Sequence, residues 1–338
     1  MTSLPAHVLP LGDPELEARL QPAMEQVEER LARAVVGADS LVDSPSAHLA
    51  AAGGKRLRPL LTLLSAELGN GSNDRVIEAA VAVELTHLAT LYHDDVMDSA
   101  PLRRGAPAAH EVWGNSVAIL TGDLLFARAS RLVAELGADA VRAHAETFER
   151  LCLGQLHETL GPQDGGDRVG HYLQVLADKT GSLIATAARY GAHYSGAGDD
   201  VARLLTAYGE KVGVAFQLAD DVIDLSSDAA TTGKTPGTDL REGVDTMPVL
   251  LLRRREGDGR IDAAGAQILR RLADDDLSED AALADVVAAL RAHEVVEEAR
   301  SLAEEWAESA VAELGPLPEG APKVALSAFA GLLVDRMA

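Results

Sequence analysis

The chain has 338 residues, of which 47% are hydrophobic, 3% aromatic and 25% charged. That apolar content excludes a mainly disordered chain. Acidic residues outnumber basic ones by 53 to 30, giving a formal charge of −23, and a surface so acidic is poorly suited to gripping nucleic-acid phosphates or anionic lipid.

Ala, Leu, Glu and Arg dominate and β-branched residues seldom alternate, so the chain reads as all-α, a single large helical bundle over 13–338 after a flexible 1–12. Asp13-Pro14-Glu15 offers an N-cap, a first-turn Pro and an early acid, followed by apolar residues at helical spacing from Leu16 to Leu31. Ser44-Pro45 opens a short helix that Gly53-Gly54 ends. Helical pattern resumes over 59–68 and 74–98. It continues near 115–136, 140–161, 167–177, 179–195 and 199–225. The last helices fall near 245–255, 261–273, 278–290, 293–314 and 321–336. One or two helices that are apolar all round mark the centre of a bundle. Two long irregular stretches, Ser99 to Ala109 and Ser226 to Thr246, stand out as functional loops.

The single Cys152 sits in an apolar stretch and reads as a buried core residue; it can form neither an intramolecular disulfide nor a Cys-rich metal site. The N-terminus has no basic start followed by an apolar run, and charge-free stretches such as Val112 to Gly122 are too short to span a bilayer. A cytoplasmic protein is expected.

The strongest local signal is His93-Asp94-Asp95-Val96-Met97-Asp98 at the end of an apolar helix. Asp94 and Asp98 share a helix face, where like charges repel. Alone, this motif reads equally well as a solvated helix end. Asp220-Asp221-Val222-Ile223-Asp224 repeats it after another apolar helix. Two such clusters suggest Mg²⁺, which binds through one or two carboxylates, several waters and a phosphate. Neither has the spacing of a calcium-binding loop.

Basic residues gather near these acids. Gly53-Gly54-Lys55-Arg56-Leu57-Arg58-Pro59 combines a free backbone with anion donors before a helix. Arg103-Arg104 follows the first acidic cluster, and Lys179-Thr180 and Lys234 lie in helix-start or loop contexts. Each alone reads as a solvated surface charge; together they outline two anion sites.

GGKRLRP, ELTHLATLYHDDVMDSAPLRRG, the pair KT, FQLADDVIDL and GKTPGTDLREG occur in the order and spacing of the polyprenyl synthetase family, which the chain resembles from about residue 45 to 255. The resemblance implies a trans-isoprenyl diphosphate synthase. It condenses isopentenyl diphosphate onto an allylic diphosphate by ionisation, condensation and elimination. It carries about three Mg²⁺ ions per active site. Asp94 and Asp98 match first-cluster ligands, with Asp95 behind them; Asp220 matches the second-cluster ligand, with Asp221 and Asp224 acting largely through water. Arg103, Lys179, Thr180, Gln217 and Lys234 match positions around the allylic diphosphate, and Arg103, Lys179, Lys234 and Gln217 are the candidate catalytic groups. Gly54, Lys55, Arg58, His87 and Arg104 match the isopentenyl diphosphate pocket, although a lone His on an apolar helix is ordinarily a core residue. The resemblance also implies a homodimer. One departure stands out: Val244 occupies a position where the family often has Lys.

Product length is read from the helix before Asp94. Thr90 and Ala89 lie about one turn below it and Thr86 and Leu85 one turn deeper, none of them aromatic. Open space there points to geranylgeranyl or longer, favouring hexaprenyl to decaprenyl, unless Leu120, Leu124 or Leu125 closes the tunnel. Two rivals remain: a terpene cyclase of the same fold, which needs no second diphosphate pocket, and a non-catalytic partner subunit.

Overall fold

The computed structural model describes residues 11–37, 40–162, 165–226 and 236–334. In chain order its elements are α1 (Pro14–Ala34), α2 (Ser40–Ala51), α3 (Leu57–Ala66), α4 (Asp74–Met97), β1 (Leu102–Arg103), β2 (Ala106–Pro107), α5 (Ala109–Trp113), α6 (Asn115–Leu136), α7 (Ala138–Leu160) and α8 (Arg168–Leu176). A π-helical turn (Ala177–Gly181) leads into α9 (Ser182–Ser195) and α10 (Asp199–Ser226). Then come α11 (Thr238–Arg241), α12 (Met247–Gly257), α13 (Ala263–Asp274), α14 (Asp280–Arg291), α15 (Glu294–Glu313) and α16 (Ala321–Val334). The fold is all-α apart from the two-residue strands, as the composition indicates. The flexible-terminus expectation falls outside the described residues up to residue 10. Leu11 is buried and its N–H donates to Glu17 Oε1 at 2.6 Å.

The chain divides into two compact units. The first comprises 1–149, 182–209 and 313–328; the second comprises 150–181, 210–312 and 329–338.

In the first unit, α1 starts as its sequence dictates. Asp13 Oδ1 accepts from the N–H groups of Glu15 and Leu16 at 3.0 and 2.9 Å. Leu16, Leu20, Met24, Val27 and Leu31 then form its buried stripe. Asn73 caps α4 in the same way, accepting from Arg75 and Val76. Residues 79–86 of α4 are buried without a break, so every face of this helix meets protein, and α1, α3, α6 and α9 surround it. Each fully buried Leu or Val contributes about 1.5–3 kcal/mol. Gly191 lets α9 lie against α3, because a β-carbon there would collide with the Thr62 carbonyl oxygen.

α2 begins at Ser40, earlier than the Ser44-Pro45 start read from sequence, and carries Pro45 within it. One buried ion cluster ties the first unit together. Arg56 donates to Glu84 at 3.0 Å and to Glu28 at 2.6 Å, with Arg56 and Glu84 almost fully enclosed.

The second unit has its own core. Val214, Leu218, Val222 and Leu225 of α10 pack with Val249 and Leu252 of α12, Leu283, Val286 and Leu290 of α14, and Val295 and Ala299 of α15. Cys152 on α7 is exposed, not buried as its apolar neighbours suggest. Leu151 and Gly154 take the inward positions, and Cys152 shares the outer side with exposed Leu153 and Leu156.

Candidate active site

In the first unit, α4 delivers the first acidic motif at its C-terminus. Asp98 caps the helix, its N–H donating to Asp94 O at 2.8 Å. Asp94 is partly exposed and Asp98 exposed, while Asp95 is fully buried. The middle residue sits about 100° round the helix from its neighbour, which separates the roles. Arg103 Nε donates to Asp95 Oδ1 at 2.6 Å, and Asp95 Oδ2 is enclosed with no protein partner. Burial pushes the Asp95 pKa up, and Arg103 only partly counters it. Arg103 is thus held to Asp95 through Nε, with its side chain 30% exposed.

The segment after α4 is more ordered than a loop. Leu102 pairs with Pro107 and Arg103 with Ala106, leaving Arg104-Gly105 as a two-residue hairpin turn. Both turn residues have positive φ, 54° and 77°, as a type I′ turn requires. Arg is strained there, and its side chain holds it in place. The Arg104 guanidinium donates to Leu49 O at 3.0 Å and also to Gly53 O. A β-carbon on Gly54 would lie 2.9 Å from that guanidinium.

Arg58, His87 and Arg104 are brought together, as the resemblance implies for one pocket. Burial lowers the His87 pKa well below its ordinary value, and Arg58, Arg104, Arg103 and Arg56 lower it further. His87 is therefore a neutral hydrogen-bonding group at pH 7. Arg58 Nε is enclosed and has no protein partner. Gly54 and Lys55 are exposed beside this group. His93 turns to α6, with Nε2 3.1 Å from Ile119 O and 3.3 Å from Asp123 Oδ1.

Of the product-length positions, Leu85, Thr86 and Ala89 are buried and Thr90 is half-buried. The small residue that packing demands here is Gly122. α6 approaches so closely that a β-carbon on Gly122 would collide with His93 and come 3.0 Å from Ala89 O. Leu125 is buried and Leu124 half-buried, but Leu120 is 66% exposed and closes nothing within this unit.

In the second unit, Asp220 and Asp224 are partly exposed, whereas Asp221 is buried. Tyr172 Oη lies 3.0 and 2.9 Å from the two Asp221 carboxylate oxygens, and Met247 N–H donates to Oδ2 at 3.2 Å. Asp221 therefore braces α10 against α12 instead of presenting oxygen to an ion. Burial, first, holds its pKa well above the carboxylate range. Asp239 is pushed up to about 7 by burial and then by Asp224, Glu242, Asp220 and Glu158.

Lys179 and Thr180 sit in the π-helical turn. Lys179 Nζ donates to Glu158 at 2.5 Å, and Thr180 Oγ1 lies 3.3 Å from Gln217 Oε1. Lys234 lies outside the described residues. Val244 follows α11, its N–H bonded to Asp239 O at 2.9 Å, and Asp245 pairs with Arg253 at 2.5 Å. Sequence reasoning missed Tyr172, Glu158 and Arg150, whose partners lie 21 to 60 residues away in the chain.

Among the described residues no three His, Cys, Asp or Glu side chains converge on a metal position. Each acidic motif instead offers two oxygen donors one turn apart. That donor set fits Mg²⁺, which completes its shell with water and phosphate oxygens.

The profile of the family described as Polyprenyl synthetase matches residues 39–290. Over 96% of both chains, the sequence is 44% identical to nonaprenyl diphosphate synthase of Mycobacterium tuberculosis. A crystal structure of geranylgeranyl pyrophosphate synthase from Corynebacterium glutamicum, complexed with calcium and isoprenyl diphosphate, is similar at a TM-score of 0.84 and 43% identity, covering 96% of this chain and 98% of that one. A dimethylallyltranstransferase of Mycobacterium tuberculosis is 36% identical over 94% of this chain and 95% of its own length. The chain belongs to the polyprenyl synthetase family and is an all-α prenyltransferase.

Proposed function

We propose that this protein joins isopentenyl diphosphate head-to-tail to an allylic diphosphate and makes an all-trans polyprenyl diphosphate, geranylgeranyl or longer. The observation that carries this reading is the cationic group formed by Arg58, neutral His87 and Arg104, which stands beside the acidic motif as a second set of anion donors. A terpene cyclase has no use for a second diphosphate pocket. A non-catalytic subunit has no use for two intact acidic motifs.

Asp94, Asp98, Asp220 and Asp224 would hold Mg²⁺, whose charge supports departure of the allylic diphosphate. Lys179, Thr180, Gln217 and Lys234 bind and orient that diphosphate, and Arg103 buttresses the first motif through Asp95. Arg58, His87, Arg104 and Lys55 hold isopentenyl diphosphate so that its double bond faces the allylic carbon. The allylic C–O bond breaks, a C–C bond forms, and a proton leaves the condensed product for the released diphosphate. Preorganised donors supply most of the stabilisation. Thr90, Thr86, Ala89 and Leu85 set the room for the growing tail.

Exposed Val117, Ile119 and Leu120 on α6 and Val112 on α5 support a homodimer that covers them. No helix among the described residues is long and apolar enough to cross a membrane, and we place the protein in the cytoplasm.

The test is incubation of the purified protein with Mg²⁺, isopentenyl diphosphate and farnesyl diphosphate, with products separated by length. A ladder of all-trans products is expected. No elongation of any allylic primer by folded protein sinks the reading, and cyclised hydrocarbon would favour the cyclase.

A further inference from the structure

Residues 177–181 form a π-helical turn between α8 and α9. Such a turn inserts one residue into a helix, rotates the side chains that follow, and is frequent at functional sites. Three contacts hold this one from outside. A β-carbon on Gly154 of α7 would lie 2.7 Å from the Lys179 nitrogen. A β-carbon on Gly181 would lie 3.0 Å from Glu210 O. The third contact is Arg150. Its Nε donates to Asp178 Oδ1 at 2.6 Å, its Nη1 to Glu210 Oε2 at 2.6 Å, and its Nη2 to the Ala177 carbonyl oxygen at 3.4 Å. Gln174 Nε2 fixes the other Asp178 oxygen at 2.8 Å.

We propose that Arg150 is a positioning residue for the prenyl transfer. Its planar guanidinium links α7, the π-turn and α10 at once, and so sets the direction in which Lys179 and Thr180 leave the backbone. Lys could reach one carboxylate but could not fork between two and a carbonyl. The proposal rests on the reading of Lys179 and Thr180 as allylic diphosphate ligands. A merely structural role predicts something different. The Asp178 side chain is only 12% exposed, so loss of Arg150 lowers stability in either case, and a merely structural role would raise both KM values together.

The experiment compares R150M, R150K and K179M with the unaltered enzyme. It measures kcat, the KM for farnesyl diphosphate, the KM for isopentenyl diphosphate and the melting temperature. R150M should raise the farnesyl diphosphate KM or lower kcat by about tenfold, with the isopentenyl diphosphate KM within about twofold. R150K should recover part of the loss. The double variant R150M/K179M should lose little beyond K179M, because both act through one group. Unchanged kinetics in R150M, or equal rises in both KM values, overturn the proposal while leaving the diphosphate reading intact. Unchanged kinetics in K179M overturn that reading and the proposal with it. If R150M does not fold, R150K under the same kinetics decides, since it keeps the charge and loses the fork.

Discussion

The Arg104 guanidinium lies where a β-carbon on Gly54 would have to go, at 2.9 Å, and from there it donates to the carbonyl of the preceding Gly53. Two motifs about fifty residues apart are thereby one object: the glycine loop is the seat of the hairpin arginine. Gly54→Ala should displace Arg104 and strain a backbone at φ 151°. We expect the isopentenyl diphosphate KM to rise about tenfold and stability to fall by about 1–2 kcal/mol. Steady-state kinetics and denaturant melts check both. An unchanged KM would remove Arg104 from that pocket.

Ala89 and Thr90 are neighbours with different fates. Ala89 is almost fully enclosed, so Ala89→Phe should cost about 1–3 kcal/mol by overpacking and confound any reading of product length. Thr90 is half-buried, its Oγ1 donating to His87 O at 2.9 Å. Thr90→Phe should fold nearly normally and shorten the product by one or more isoprene units. Chromatography of the product ladder decides. An unchanged ladder takes Thr90 out of the path of the tail.

His144 is buried between α6 and α7, stacked on Phe126 at 5.0 Å, and burial depresses its pKa to about 4. The folded state therefore binds its proton later than the unfolded state does. This contribution is complete above about pH 6.5 and is lost as pH falls from there toward about 4. At pH 5 the loss should be about 2 kcal/mol. Melting curves of the enzyme and of His144→Gln at pH 7.5 and pH 5 test it. Equal losses in both proteins would refute the assignment.

Asp224 and Asp220 add to burial in pushing the Asp239 pKa up, so these carboxylates lie close together. Mg²⁺ with inorganic diphosphate should raise the melting temperature by a few degrees, through binding to the folded state alone. Asp220→Asn should reduce that rise by half or more, since one donor of the pair is lost. A full rise in the variant would place the ion elsewhere.

Breaking the buried Arg56 cluster should be expensive. Glu84→Gln leaves Arg56 enclosed with one carboxylate, Glu28, and should cost about 3 kcal/mol. Urea denaturation measures it. A loss below about 0.5 kcal/mol, the range of exposed pairs, would show that water reaches the cluster.

Much of this protein is legible in its sequence because helices report locally. The unbroken apolar run of α4, its Asn73 cap and the placement of Asp94 and Asp98 on one face depend on residues within a few turns of one another. The phase of the motif even separates Asp95 from its neighbours. Other features are not local. The apolar letters around Cys152 do not say which way α7 faces, and the residue is exposed. The identical letters of Asp220 and Asp221 do not say that one meets Tyr172 and Met247. Arg150 reads as one more surface charge until α7, the π-turn and α10 come together. Sequence thus determined the helices and the two acidic motifs, since each follows from spacing along one chain, and the ordered motifs together carried the family resemblance that implies the reaction class. Tertiary structure decided which carboxylates are braces, which arginines are tied down and which small residues serve packing. Those properties belong to pairs of side chains far apart in sequence, and only folding sets the distance between them.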